Sequence, residues 1–268
     1  MLLASTYHAS DGAAYEGFLG RWTTVLAPPF LEFAELPSEG PLLDVGTGTG
    51  SLAFAMAERW PVREIIGVDI AEPYIAYAQS QAARPSPAFE TGDVSALRYQ
   101  DDTFAGATAQ LVLNFVPDAK AAVSEMKRVT RPGGSVAAAV WDFRGGLVFQ
   151  RLLWDTAAGI DPQAGVARDR LFSGTLALPD ALPQLFSAAG LADVQRGSIT
   201  IRMNFANFDD YWQPLLGGQG PFGSYVATLS VDMRGKIEEA VRRAYCSGAP
   251  DGERSLTATA WAVRGRVR

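Results

Sequence analysis

Residues 42–50 read Leu-Leu-Asp-Val-Gly-Thr-Gly-Thr-Gly, and this stretch decides the fold that the sequence predicts. An apolar run enters a segment with glycine at every second position, and residues 51–60 then have the period of a helix. Glycine lets the backbone turn sharply and approach a ligand where a side chain would collide. The stretch therefore predicts a strand, a ligand-binding turn and a helix, the simpler alternative being a glycine-rich turn without a ligand.

The same alternation of strand and helix continues along the chain. Further apolar runs, each bounded by Gly, Pro or Asp, lie at 65–68, 88–90, 107–112 and 135–140. Segments of helical period lie at 72–83 and 118–130, and a helix is expected to begin at Pro28-Pro29 and continue through 30–36. Strand, helix and strand in this order predict crossover units, a parallel sheet and helices on both of its faces.

After residue 141 the pattern changes. Helices are predicted at 149–160 and 180–190, and strands at 193–204 and 257–263. Between these two strands lies an insert, residues 205–254, that is rich in aromatic side chains. An excursion of this length inside a domain is usually functional, so we expect a lid or binding element, with a dimer interface as the open alternative.

Three acidic residues near the predicted strand ends indicate a type of ligand. Asp44 beside the glycine turn would repel a pyrophosphate but suits a ligand with a positive amine or sulfonium. Asp69 ends the second strand, where a carboxylate can accept both hydroxyls of a ribose, unless it is only an acid at a helix N-terminus. Asp93 could meet an adenine amino group while the Val94 amide faces a ring nitrogen, although an Asp in a loop is more often a turn residue.

The glycine spacing separates two ligand classes. Dinucleotide enzymes favour G-x-G-x-x-G, whereas residues 46–50 follow G-x-G-x-G with an aspartate two residues earlier. This difference favours a positively charged nucleoside. A nicotinamide-dependent oxidoreductase is a less favoured alternative, and a non-catalytic nucleoside-binding or regulatory protein of the same fold is another.

Composition narrows the function further. The chain has 268 residues, of which 48% are hydrophobic and 19% charged, which predicts one globular domain with a substantial core. A net charge of −6 and the lack of a basic run argue against a nucleic-acid partner. One cysteine and one histidine, His8, exclude an internal disulfide and leave too few ligands for a zinc or iron site. Neither a leader pattern nor a run of about 18 apolar residues is seen, so we expect a cytoplasmic protein without a membrane span.

Together these segments, with 111–118 and 131–134, resemble the class I S-adenosylmethionine-dependent methyltransferases, and within them the methyltransferase type 11 or ubiquinone/menaquinone methyltransferase-like group. The resemblance implies one α/β domain over residues 1–268. Its fold would be Rossmann-like and doubly wound, a three-layer sandwich around a seven-stranded, mostly parallel sheet with an antiparallel last strand. The implied parts are a helical cover at 1–40, a cofactor-binding core at 41–141, and helical substrate or lid elements at 142–190 and 205–254.

The resemblance also implies the cofactor, S-adenosyl-L-methionine, with S-adenosyl-L-homocysteine as its product. Carried over position by position, the cofactor-binding candidates are Tyr15, Arg21, Asp44, Gly46, Thr47, Gly48, Gly50, Asp69, Ile70, Asp93, Val94, Gln110 and Asn114. Of these, Arg21 would meet the methionine carboxylate and Tyr15 would close the pocket. Asn114 would face the donor methyl group.

The acceptor site is expected above the carboxyl ends of the strands, beside the glycine turn. Its candidate lining residues are aromatic: Trp141, Phe149, Trp154, Tyr211, Trp212 and Phe222. They predict a planar or apolar small molecule as acceptor, bound by a monomer or a homodimer. Methyl transfer is an in-line displacement that needs mainly alignment and exclusion of water, so no catalytic residue is assigned. Asp142 alone is placed where a magnesium-dependent reaction would need several acids, so no metal is expected.

Overall fold

The computed structural model describes residues 15–82, 86–174, 176, 178–217 and 220–268. Within this part of the chain, seven strands form one sheet in the order β3-β2-β1-β4-β5-β7-β6. The strands are β1 (Leu42–Val45), β2 (Ile65–Asp69), β3 (Ala88–Thr91), β4 (Phe104–Gln110), β5 (Thr130–Trp141), β6 (Ala192–Phe205) and β7 (Arg254–Arg266). The α-helices of the described residues are α1 (Arg21–Ala34), α2 (Ser51–Arg59), α3 (Glu72–Gln81), α4 (Ala119–Val129), α5 (Val148–Ala158), α6 (Pro162–Phe172), α7 (Ala181–Ala188), α8 (Phe208–Trp212), α9 (Gly220–Val226) and α10 (Val231–Cys246).

The direction of the strands confirms the predicted sheet. The five strands from β3 to β5 pair in parallel, and β7 pairs antiparallel with both β5 and β6. The chain winds outward from β1 to β3 and then, from β4, outward in the other direction. A crevice therefore opens where β1 and β4 lie side by side, above their carboxyl ends.

The sheet separates two apolar cores. On β5, Val136, Ala138 and Val140 face one core, whereas Ala137 and Ala139 face the other. This alternation follows from the two-residue period of a strand, and burial of both faces explains why the central strands have few polar side chains. The result is the expected three-layer arrangement of helices, sheet and helices.

The first helix begins earlier than predicted. A π-helical turn, Glu16–Gly20, leads directly into α1 at Arg21, and Pro28 and Pro29 lie inside the helix. The prediction of a helix starting at the two prolines is wrong because both halves of α1 bury large side chains, such as Leu26 and Phe30. The carbonyl groups that lose their donors belong to the exposed Thr24 and Val25, where water can replace the missing bonds.

The fourth strand is also shifted from its predicted position at 107–112. β4 begins at Phe104 and ends at Gln110, because Leu111 adopts a positive φ of 64° that cannot continue a strand. The end of α4 at Val129, just before Arg131-Pro132-Gly133-Gly134, is as predicted. None of the described helices is both long and apolar enough to cross a membrane.

Candidate functional site

The glycine turn after β1 has the backbone that its sequence predicts. Gly46, Gly48 and Gly50 have φ of 68°, 56° and 95°, a region that other residues rarely adopt. A Cβ atom on Gly46 would overlap the Val112 side chain. A Cβ atom on Gly48 would meet nothing within 4 Å, and Gly48 lines a cavity of about 590 Å³. The turn therefore presents bare backbone to an open space.

Asp69 connects the glycine turn to the loop after β2. Its Oδ2 accepts a hydrogen bond from the Gly48 amide at 2.9 Å, and its Oδ1 accepts one from the Ala71 amide at 2.9 Å. Burial raises the pKa of this carboxyl above its usual value, while the two amide bonds oppose the rise. Asp69 also lines the cavity, and a carboxylate has lone pairs left to accept further donors.

Asp44 lies behind the glycine turn and is almost completely buried. The Thr47 hydroxyl donates to its Oδ2 at 2.7 Å, whereas Oδ1 has no hydrogen-bond partner among the described residues. Burial raises the pKa of Asp44 to about 7; the Thr47 bond opposes this and the neighbouring Asp69 charge adds to it. The buried Asp44 and the half-buried Asp69, whose charges interact, favour a cation near the turn.

Asp93, the third of the predicted acidic residues, lies on the cavity wall together with its neighbour Val94. Asp93 and Val94 line the cavity in the loop after β3. The Asp93 side chain accepts from the Ser95 amide at 2.8 Å, and its main-chain carbonyl accepts from Ala96 at 3.0 Å. Asp93 therefore has the turn geometry of the simpler interpretation and, at the same time, faces the space where a ligand would lie.

The N-terminal segment covers this end of the cavity. Tyr15 and Leu19 line it, and the ring of Tyr15 lies 5.1 Å from the ring of Tyr74. The Thr49 hydroxyl donates to the Glu16 carboxylate, which joins the segment to the glycine turn.

Gln110, at the end of β4, donates from Nε2 to the Thr23 carbonyl at 3.0 Å. Its Oε1 is buried without a partner in the described part of the chain.

The other end of the cavity is apolar. Trp141 is the last residue of β5, Phe143 follows the strand, and α5 contributes Leu153 and Trp154. The remaining wall on this side comes from α6, the 3-10 turn Gln213–Gly217 and α9, through Leu171, Leu215, Gly220, Pro221 and Phe222. The ring of Trp154 lies edge-on to that of Phe222, with centroids 5.1 Å apart. One continuous cavity thus joins a polar end to an aromatic end.

Three of the six predicted acceptor residues lie in the core instead of on the cavity wall. Trp141, Trp154 and Phe222 line the cavity, whereas Phe149, Tyr211 and Trp212 do not. The Tyr211 hydroxyl donates to the Phe149 carbonyl at 2.8 Å, and the Trp212 ring stacks on Phe208 at 5.8 Å. These contacts are buried in the core. Aromatic residues at helical spacing therefore predicted core packing as often as they predicted a ligand surface.

Several predicted cofactor residues also lie off the wall. The Arg21 guanidinium pairs with Asp210 at 2.7 Å and lies over the Trp22 ring, so in the structure it holds the N-terminal helix to the insert. Asp44 and Thr47 bond to each other behind the glycine turn, Gly50 precedes α2, and none of the three lines the cavity. Asn114 lies in the 3-10 turn Leu113–Phe115. His8 lies outside the described residues.

The candidates that do meet at the polar end come from five different segments of the chain. They are Tyr15, Gly46, Gly48, Asp69, Ile70, Asp93, Val94 and Gln110. The sequence interpretation missed Tyr74 and Gln150, both of which line the cavity. The helical spacing of Gln150, Leu153 and Trp154 is the signal that could have placed Gln150 there.

Comparison with known proteins identifies related chains. A family described as a methyltransferase domain matches residues 43–138. A demethylmenaquinone methyltransferase of Roseiflexus castenholzii is 33% identical over 205 residues, which cover 72% of this chain and 83% of that protein.

Two solved structures share the fold. The YcgJ protein of Bacillus subtilis superposes with a TM-score of 0.55 at 20% identity, over 92% of this chain and 99% of its own. A phosphoethanolamine N-methyltransferase of Haemonchus contortus, solved with phosphomonomethylethanolamine and S-adenosylhomocysteine, has a TM-score of 0.57 at 13% identity, over 96% of this chain and 57% of its own. At these identities, the two structures bear on the fold alone.

Proposed function

Because the chain belongs to the class I S-adenosylmethionine-dependent methyltransferases, we propose that it methylates a flat, apolar, ring-bearing small molecule held in the aromatic end of its cavity. The observation that carries this proposal is a continuous cavity of about 590 Å³, polar at the glycine turn and aromatic at the far end. A volume of this size is typical of small-molecule sites.

The residues at the polar end fit the cofactor. The Asp69 carboxyl on the cavity wall, with the buried Asp44 behind the turn, suits a ligand with a positive amine and sulfonium. The bare backbone at Gly48 leaves room for close approach, and Asp69 would hold the ribose. Asp93 and Val94 would hold the adenine. Thr47, Gly50 and Asn114 would then act from behind the wall, by supporting the residues that touch the cofactor.

When bound, the cofactor supplies an electrophilic methyl group. The chain orients the acceptor, and its aromatic wall excludes water from the reaction. The ionisable carboxyl groups among the described lining residues are Asp69, Asp93 and Asp118, and Asp118 already caps α4 through the Ala121 amide at 2.9 Å. Asp69 and Asp93 are assigned to the cofactor, and Asp118 is engaged at its helix. The acceptor itself is therefore expected to be nucleophilic, and alignment alone can supply several kcal/mol of the barrier.

The class of acceptor follows from the aromatic end. Offset and edge-on contacts with Trp141, Trp154 and Phe222 favour a flat ring over a charged, acyclic molecule. The relative from Roseiflexus castenholzii is named for demethylmenaquinone, which is a ring-bearing apolar compound. This name supports the same class of acceptor for the present chain.

The test is transfer of a labelled methyl group. The purified protein is incubated with S-adenosylmethionine carrying a radioactive methyl group and, separately, with naphthols, a naphthohydroquinone, phosphoethanolamine and simple aliphatic amines. We expect label in the ring compounds only. Label confined to the charged, acyclic acceptors would overturn the proposal.

The cofactor end is tested separately with Asp69→Ala. This variant removes the proposed ribose contact and leaves the residues of the aromatic end unchanged. We expect it to weaken S-adenosylhomocysteine binding by about 100-fold, as loss of hydrogen bonds to a charged group would. Calorimetry measures this affinity, and circular dichroism checks that the variant is folded. Undiminished binding in the folded variant would contradict the assigned role of Asp69.

A further inference from the structure

The aromatic end of the cavity is formed by the described lining residues from Trp141 onward. Gln150 is the one polar side chain among them. Its neighbours on that wall are apolar or glycine: Trp141, Phe143, Leu153, Trp154, Leu171, Leu215, Gly220, Pro221 and Phe222. A polar group in such a setting must be hydrogen-bonded or it destabilises the fold.

The side-chain carbonyl oxygen of Gln150 has no such bond. The residue is only 8% exposed, and its Oε1 has no partner among the described residues. The nearby Tyr225 hydroxyl, by contrast, donates to Asp161 at 2.6 Å. Trp212 Nε1 is also buried without a partner among the described residues, but Trp212 does not line the cavity. Most buried polar groups in proteins are hydrogen-bonded, so an orphan on a cavity wall indicates a missing partner.

The position of Gln150 on α5 directs it to the same space as two established wall residues. Leu153 and Trp154 follow three and four residues later and lie on the same side of the helix. The start of the helix is fixed, because Leu147 forms an isolated bridge with Ala258 of β7 and its carbonyl accepts from the main-chain N–H of Gln150 at 3.1 Å. Gln150 is thus held rigidly beside the aromatic surface that would receive the acceptor.

We propose that Gln150 determines specificity by hydrogen-bonding an oxygen substituent on the ring of the acceptor, which makes the acceptor a phenol or hydroquinone. This inference rests on the proposed function. The amide is neutral, so it matches a neutral hydroxyl. The terminal torsion of glutamine is soft, so the amide can present either its N–H donor or its oxygen acceptor. A hydroxyl group can form a hydrogen bond with either one.

The expected consequence is discrimination against a ring of the same shape that lacks the oxygen. A site built to hydrogen-bond a hydroxyl rejects the analogue without it, because the buried protein group is then left unpaired. An apolar replacement of Gln150 should abolish this discrimination and leave the cofactor end unchanged.

The experiment uses the full chain saturated with S-adenosylhomocysteine and two probes, 1-naphthol and 1-methylnaphthalene, which differ by a hydroxyl in place of a methyl group. Their dissociation constants are measured from the tryptophan fluorescence of the protein, since Trp141 and Trp154 line the cavity. For Gln150→Met, we expect the ratio of the two constants to shift about five- to tenfold toward 1-methylnaphthalene.

The control is Leu153→Met, a change of similar volume on the same wall that leaves the polar group in place. It should leave the ratio within about twofold of the wild-type value. Thermal melting separates recognition from support of the fold, because removing an orphan polar group should leave the Tm of Gln150→Met unchanged or raised. A lowered Tm together with an unchanged ratio would overturn the proposal.

The remaining outcomes distinguish this inference from the proposed function. If both probes bind and the ratio is the same in Gln150→Met as in the wild type, Gln150 does not select the acceptor, but the ring-bearing acceptor class stands. If S-adenosylhomocysteine binds and neither probe does, the acceptor class and the role of Gln150 are both wrong. A shifted ratio in Gln150→Met but not in Leu153→Met supports both.

Discussion

The two ends of the cavity are built in different ways. At the polar end, short segments each place one or two groups by backbone conformation, as Gly48 and Asp69 do across 2.9 Å. At the aromatic end, side chains from β5, α5, α6 and α9 meet only after the insert has folded. The comparison teaches that cofactor binding depends on local turns, whereas the acceptor surface depends on the packing of distant segments.

The largest expected effect is on the aromatic end, from Trp154→Ala. Trp154 is fully buried and packs against Phe222 and Tyr225, so its truncation should lower the free energy of unfolding by about 3–5 kcal/mol. Urea unfolding measures this change. If the two ends are built independently, the affinity for S-adenosylhomocysteine changes less than about twofold. Trp154→Phe, which keeps an aromatic ring, is the milder control. If the Trp154→Ala protein is folded but no longer binds S-adenosylhomocysteine, the two ends of the cavity are not independent.

A smaller effect is expected at the polar end, from two glycines of one turn. In Gly46→Ala the new Cβ would overlap Val112 at a φ of 68°, which should cost about 2–4 kcal/mol of stability. In Gly48→Ala only the positive φ is unfavourable, so about 1–2 kcal/mol is expected.

Both glycine variants should bind S-adenosylhomocysteine at least about tenfold more weakly, which calorimetry would show. Gly46→Ala does so because its turn is distorted, and Gly48→Ala because its methyl group enters the cavity. Equal stability losses in the two variants would mean that the Val112 contact does not hold the turn.

The third prediction concerns pH. Folding raises the pKa of Asp44 from 3.8 to about 7, so the folded chain holds this proton more tightly than the unfolded chain does. The contribution of Asp44 to stability therefore falls as the pH rises from about 4 to about 7. Asp44→Asn lacks this titration.

Between pH 5 and pH 8, the stability of the wild type relative to Asp44→Asn should fall by on the order of 2 kcal/mol. Urea unfolding of both proteins at the two pH values measures this difference. A difference that does not vary with pH would show that the carboxyl group is ionised throughout, and hence that the polar end is less sealed from water than the structure indicates.

The smallest effect is expected where the two ends are joined. Arg21 and Asp210 are about one-third exposed, so their ion pair should contribute only about 0.2–1 kcal/mol, measurable by a double-mutant cycle of Arg21→Met and Asp210→Asn. Each variant should bind S-adenosylhomocysteine within about twofold of the wild type. A tenfold loss in Arg21→Met but not in Asp210→Asn would instead support direct contact of Arg21 with the cofactor.

Much of the fold and of the polar end could be predicted because both are encoded over short distances. Residues 42–50 specify their own strand and turn, and the apolar run of β2 places Asp69 at its end. The positive φ of the glycines is a requirement of the turn itself. Such features can be interpreted without knowing what packs against them.

What could not be predicted depends on partners far away in the chain. Arg21 pairs with Asp210 across 189 positions, and no periodicity indicates this contact. Pro28 and Pro29 lie within a helix because both halves of α1 bury large side chains in the core. The position of Phe149, Tyr211 and Trp212 in the core followed from mutual packing, which composition and spacing do not reveal.

The pairing of β6 with β7 has a consequence for how such a protein can change over evolution. The insert leaves the sheet at Phe205 and returns at Arg254, and these two residues are direct partners across the strands. Its ends are therefore closed by the sheet, and a longer or shorter insert would alter the entropy of closure only slightly. We therefore expect residues 206–253 to tolerate changes of length more readily than the glycine turn, where Gly46 has no room for a side chain.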